Sequence, residues 1–195
     1  MTKTTGPVRK EYYFRTGQFI RQGNKYQRHC GPTAVTNLLF TLSGREGRPL
    51  EVPPERVFGK VARIGKKRAA YINANVLGRF GGTSDFLAPS YIRASLRSYG
   101  IRGYKVFGLY PAVPGLMKRH LDRGAVLYLE VHLHPKYGNH HMLCYGYRVE
   151  RDPAGGEKTY FRLADGWGSG PTEVEAGTLG LAMYSAVIPN KKQNN

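Results

Sequence analysis

A chain of 195 residues with 41% hydrophobic and 22% charged side chains has ordinary globular composition and room for one domain with a sizeable core. No run approaches the roughly 18 apolar residues of a membrane-spanning helix, and two cysteines, Cys30 and Cys144, are too few for a secreted disulfide scaffold or a four-cysteine zinc site. The charge is unusual: 30 Lys and Arg face 13 Asp and Glu, a formal +17, with 20 basic and 5 acidic residues over 1–110 against 10 and 8 over 111–195.

A basic first half can attract nucleic acid, anionic membranes or acidic proteins, or it can be a solvated surface that aids solubility. An anionic partner is therefore one expectation. Met1 to Tyr12 carries basic residues but no apolar run after them, so it does not read as a signal peptide. The chain is expected to be cytoplasmic, or secreted if a signal has been removed.

Residues 1–25 read as an extended arm, packed at its aromatic positions along the alternating stretch Tyr12 to Ile20. After Cys30, Gly31 and Pro32 signal a helix start, and Ala34, Val35, Leu38, Leu39 and Leu42 recur at helical spacing until Ser43 and Gly44. This helix belongs in the core. Pro53 to Gly100 reads as helical and basic: Val57, Val61 and Ile64 share one face, Gly81 to Ser84 reads as a turn, and Ile92, Leu96 and Tyr99 form a short helix closed by Gly100. Pro111 and Pro114 bracket a turn. Leu116 and Leu121 fit a short helix stopped by Gly124.

The period then changes. From Ala125 to Leu133, Val126, Tyr128, Glu130 and His132 alternate with Leu127, Leu129, Val131 and Leu133, a strand pattern. His141–Tyr147, Thr159–Ala164 and Met183–Ile188 read as further strands, with turns at 135–138 and 152–156. Helices first and strands later predict an α+β domain with an antiparallel sheet. It spans 1–195 as one unit, with the arm at its start and a short polar tail near 190–195.

Thiol chemistry requires a thiolate, and a helix N-terminus beside an imidazolium lowers a cysteine's pKa. Cys30 opens the apolar helix, where unpaired N–H groups are natural oxyanion donors, and Gly31 allows a substrate carbonyl to approach. The plain alternative is a buried structural cysteine. Of six histidines, His29 adjoins Cys30 and should point away, and His120 should sit on an exposed helix face. His132 and His134 share a strand face without a third metal ligand. His140 and His141 open a strand behind a loop containing Gly138 and Asn139. Asp165, followed by Gly166-Trp167-Gly168, is the candidate to orient an imidazole, with the indole as a water shield. Cys144 reads as a small buried hydrophobe.

Cys30-Gly31-Pro32-Thr33-Ala34, then His140 ahead of Gly146-Tyr147, then Asp165-Gly166-Trp167-Gly168 together resemble the papain-like cysteine peptidases, especially the compact bacterial branch called C39-like. The resemblance spans residues 24–168 and selects His140, six residues before the Gly of Gly-Tyr, over His141. It implies a papain-like fold, with a helical first half packed on the sheet. It implies a Cys30–His140–Asp165 triad, a thiolate–imidazolium pair and a peptide or isopeptide substrate, with no cofactor or metal. An amidase or transglutaminase-like acyl transfer fits the same residues, as does a basic binding module on a peptidase scaffold. The family's oxyanion glutamine has no match at its usual place six residues before the cysteine, where Asn24 stands. Gln27 has the length but is only three residues from Cys30, and it is preferred because the approaching chain can bulge.

Overall fold

The computed structural model describes residues 3–5, 11–15, 19, 28–76, 80–151 and 156–190. Asn24, Gln27, most of the arm and the tail after 190 lie outside the described residues.

The architecture is α+β. Helix α1 (Cys30–Arg45) is followed by α2 (Pro54–Lys67), a hairpin of β2 (Tyr71–Val76) and β3 (Phe80–Thr83), then α3 (Ala88–Ser98). Strand β4 (Tyr104–Leu109) and helix α4 (Pro114–Asp122) lead into β5 (Val126–His134), β6 (Gly138–Arg151), β7 (Glu157–Ala164), β8 (Thr172–Glu175) and β9 (Leu181–Pro189). The main sheet runs β4-β9-β5-β6-β7-β8, and a first strand, β1 (Lys3–Thr5), also pairs with β6. All its pairings are antiparallel.

Both faces of the sheet are covered. Val126, Tyr128, Leu143 and Tyr145 face α1, α2 and α3. Leu127, Leu129, Met142 and Cys144 face a second cluster with Met117 and Leu121 of α4. Period-2 alternation along β5 and β6 thus fills two cores. Helix α1 is buried from Gly31 to Ser43, more completely than one apolar face requires. Its polar side chains are consumed internally: Thr36 donates to the Pro32 carbonyl at 2.8 Å, and Asn37 accepts from Phe14 N at 2.7 Å and donates to Phe14 O at 3.1 Å. This pins the described part of the arm, where Tyr12, Tyr13 and Phe14 pack on the core as expected.

Several expectations need correction. The segment Gly81 to Ser84 is not a turn: Gly81 to Thr83 belong to β3, with Ile72 opposite Gly82 and Tyr71 opposite Thr83. Gly81 has φ +121°, and a Cβ there would collide with the Ala74 carbonyl, so the glycine serves an irregular strand pairing. The middle of the chain is therefore not wholly helical. His120 is buried, because β4, which the pattern does not announce, brings the Phe107 ring against it while Nδ1 lies 3.1 Å from Tyr184 Oη. His132 and His134 do not pair. Leu133 between them has φ +51° and the β5–β6 register shifts there, so the alternation breaks and His134 instead accepts from the N–H groups of Lys136 and Tyr137.

Candidate functional site

A cleft of about 750 Å³ opens where α1 begins, bounded by the tip of β3, by β5 and by the start of β6. Cys30, His140 and His141 line it, with Asn139, Trp167 and His29.

Cys30 is the first residue of α1. Pro32 has no N–H, and Thr33 N bonds to the His29 carbonyl at 3.0 Å, so Cys30 and Gly31 hold the remaining donors of the first turn. The backbone N–H groups of Cys30, Gly31 and His141 favour the thiolate of Cys30. Burial is the larger influence, however, and it holds the thiol above its ordinary pKa, with the Glu130 charge adding to the rise and the three N–H groups opposing it. Burial thus runs against the expected thiolate–imidazolium pair at rest, and the N–H groups oppose burial. Burial likewise lowers the His140 pKa, against the pull of the Asp165 carbonyl and charge. Burial thus favours the neutral form of both groups, which line the same cleft.

His140 Nε2 donates to the main-chain carbonyl of Asp165 at 2.6 Å, which leaves Nδ1 as the basic nitrogen. Its ring stacks on Tyr137 at 5.6 Å and meets Trp167 at 5.2 Å. Asp165 therefore orients His140, but with its backbone. Its carboxylate is used in the turn that follows: Oδ1 accepts from the N–H groups of Trp167 (2.9 Å) and Gly168 (3.1 Å), and Oδ2 from the hydroxyls of Thr172 (3.1 Å) and Tyr137 (3.2 Å). Burial alone would raise this carboxyl, and the four hydrogen bonds outweigh it and hold the pKa below the ordinary value. Trp167 is half exposed and covers the His140 ring as the sequence implied.

Gly31 has a packing task that the sequence did not announce. A Cβ there would stand 2.6 Å from Thr83 Cβ and 2.8 Å from the Tyr128 hydroxyl, so the missing side chain makes room for β3 against α1. His29 is buried against Phe58 with Nδ1 3.4 Å from Thr33 Oγ1, and it still lines the cleft. Cys144 is fully buried, its thiol raised by burial, and both cysteines are free.

Beside Cys30 the cleft holds a group that sequence reasoning did not assemble. Glu130 lies directly across the ladder from His141, and His132 follows two residues on, so all three project toward α1. Asp85, just after β3, meets them: His132 Nε2 donates to Asp85 Oδ2 at 2.9 Å and lies 3.2 Å from Glu130 Oε1. Burial, and then the neighbouring Asp85, push Glu130 up to about 10, while burial pushes His141 down to about 4. The shared face of Glu130 and His132 was readable from the alternation. Asp85 was not, because only the unannounced hairpin brings it there.

A second, apolar hollow of about 330 Å³ adjoins the cleft, sharing Asp85 and Glu130 and lined also by Pro89, Leu109, Tyr110 and Met183. Among the described residues, no helix is long and apolar enough to cross a membrane. No protein-family model matches the chain, and no curated protein matches it.

Proposed function

We propose that the chain is a papain-like cysteine hydrolase that cleaves peptide or isopeptide bonds through Cys30 and His140. The observation that carries this reading is the meeting, in one cleft, of a cysteine at a helix N-terminus and a histidine whose distal nitrogen is fixed by a carbonyl.

Cys30 Sγ attacks the acyl carbonyl carbon while its proton passes to His140 Nδ1. The N–H groups at the start of α1 receive the developing oxyanion. Collapse of the tetrahedral adduct breaks the C–N bond, and the leaving amine takes the proton from His140. Water then attacks the thioester, giving its proton to His140, and the carboxylic acid departs as Sγ recovers a proton. The adjoining apolar hollow favours an acyl donor with a hydrophobic side chain near the scissile bond.

The test uses an activated p-nitrophenyl ester of an N-acyl peptide with a hydrophobic residue, with the adduct located by mass spectrometry. The expected result is an acyl group on Cys30, formed roughly 10²–10⁴ times more slowly in His140→Ala. Acylation no faster than that of a free thiol, or indifferent to His140→Ala, overturns the proposal. Turnover to an amide when an amine is added reassigns the enzyme as an acyl transferase on the same residues.

A further inference from the structure

The unused polar atoms of the cleft face one another. Glu130 is 5% exposed and His141 6%, yet Glu130 Oε2 and His141 Nδ1 have no hydrogen-bond partner. They lie 3.4 Å apart. Leaving two such groups unpaired in a buried setting is costly. The other ends of both side chains are firmly held. His141 Nε2 donates to the Thr83 carbonyl at 3.1 Å, which fixes the tautomer and turns the Nδ1 lone pair toward the carboxylate. Glu130 Oε1 is near His132 Nε2, which also holds Asp85 Oδ2. Two buried polar atoms thus face each other across 3.4 Å, neither with a hydrogen-bond partner.

A cation bound here would satisfy both atoms, displacing the proton that the raised Glu130 carboxyl holds at neutral pH. One ligand atom each from Asp85, Glu130 and His141 lie within 4.8 Å of one another, the only such cluster of three among the described residues. With bonds of about 2.0–2.2 Å, a tetrahedral zinc ion separates its ligand atoms by about 3.3–3.5 Å, which is the spacing already present between Glu130 Oε2 and His141 Nδ1. One imidazole nitrogen with two carboxylates suits zinc or a neighbouring first-row dication, and is a poor match to calcium or magnesium, which prefer all-oxygen sites.

We propose that Asp85, Glu130 and His141 form a binding site for a divalent transition ion, Zn²⁺ first, with His132 holding the two carboxylates in place from outside. The ion ties the segment after β3 to β5 and β6 and so fixes one wall of the cleft. The inference rests on these four residues and stands apart from the acyl-transfer reading.

The experiment titrates Zn²⁺ into chelator-treated full-length protein by calorimetry, with Co²⁺ as a spectroscopic probe of ligand type. One Zn²⁺ per chain at micromolar affinity or tighter is expected, together with a Co²⁺ spectrum of nitrogen and oxygen ligands. Glu130→Gln and Asp85→Asn should abolish binding, and His132→Asn should weaken it by roughly 10–100-fold. Cys30→Ser should bind as the parent does. Circular dichroism checks each variant's fold, and Asp85→Asn, on the segment after β3, decides the question if Glu130→Gln does not fold. Absence of stoichiometric binding, or binding undiminished in Asp85→Asn, overturns the site. Loss in Cys30→Ser, or a thiolate-to-cobalt absorption band, also overturns it, because the ion would then belong to the thiol.

Discussion

Asp165 illustrates how one residue can serve a site with its main chain and the fold with its side chain. The carbonyl accepts from His140, while the carboxylate closes the turn through Trp167, Gly168, Thr172 and Tyr137. Asp165→Asn keeps the carbonyl and weakens the turn. Acylation of Cys30 should therefore fall far less in this variant than in His140→Ala, although a carboxylate-anchored triad would make the two comparable. Stability should respond to pH with a defined sign. The folded-state pKa is depressed, so the contribution is complete above the unfolded value of about 3.9 and is lost as pH falls through the folded value. Urea unfolding should show Asp165→Asn less stable by about 1.5–3 kcal/mol at pH 7, the range for hydrogen bonds to a charged group. That gap should be the same at pH 5.5 and should shrink below about pH 4. Tyr137 and His140, the titratable groups facing Asp165, are present in both proteins and largely cancel in the difference. A gap that stays constant into strong acid would mean the carboxylate's charge contributes nothing.

Among the elements, α1 and the β2–β3 hairpin pack tightly at Gly31, and this contact shows what the sequence could and could not disclose. The helix was plain from the spacing of Val35, Leu38, Leu39 and Leu42, and β5 and β6 from their alternation. Cys30 and His140 could be chosen because each sits at the start of such a well-marked element. Strands β3 and β8 have four residues each, too short for a period to emerge, and β3 contains two glycines. Strand β4 has a mostly exposed face, so its apolar pattern is weak. With the hairpin unseen, Gly31 looked like room for a substrate and Asp85 drew no attention. The packing predicts that Gly31→Ala forces Thr83 and Tyr128 apart from α1, at a cost of about 1–3 kcal/mol for an overpacked core. Because Tyr128 is rigidly buried and Thr83 is not, Gly31→Ala combined with Thr83→Gly should be less destabilised than the two single costs added together. Thermal unfolding of the four proteins in the cycle measures this. Strict additivity would show that the two residues do not compete for the same space.

For the molecule as a whole, the excess charge now has a location. Arg56, Arg63, Lys67 and Arg68 are exposed on or just after α2, and Arg93 and Arg97 are exposed on α3, the two helices that cover the face of the sheet on which α1 packs. Glu55 at the start of α2 and Lys66 and Lys67 at its end follow the helix dipole, so part of this pattern serves the helix itself. What remains is a group of exposed basic side chains on these two helices, a surface to test for polyanion binding. Binding to a duplex DNA probe should be measurable at low salt and should collapse between about 50 and 200 mM, as counterion release requires. Each phosphate contact contributes roughly 0.9 to the slope of log affinity against log salt, so replacing Arg56, Arg63, Lys67 and Arg68 by Gln should reduce that slope by about 3–4 if all four engage phosphate. The same variant should leave Cys30 acylation by a neutral ester unchanged, because none of the four residues lines the cleft. A slope unaltered by the substitutions would move the polyanion contact to another surface. No association even at low salt would leave the charge as a solubilising coat, and the case for an anionic partner would end there.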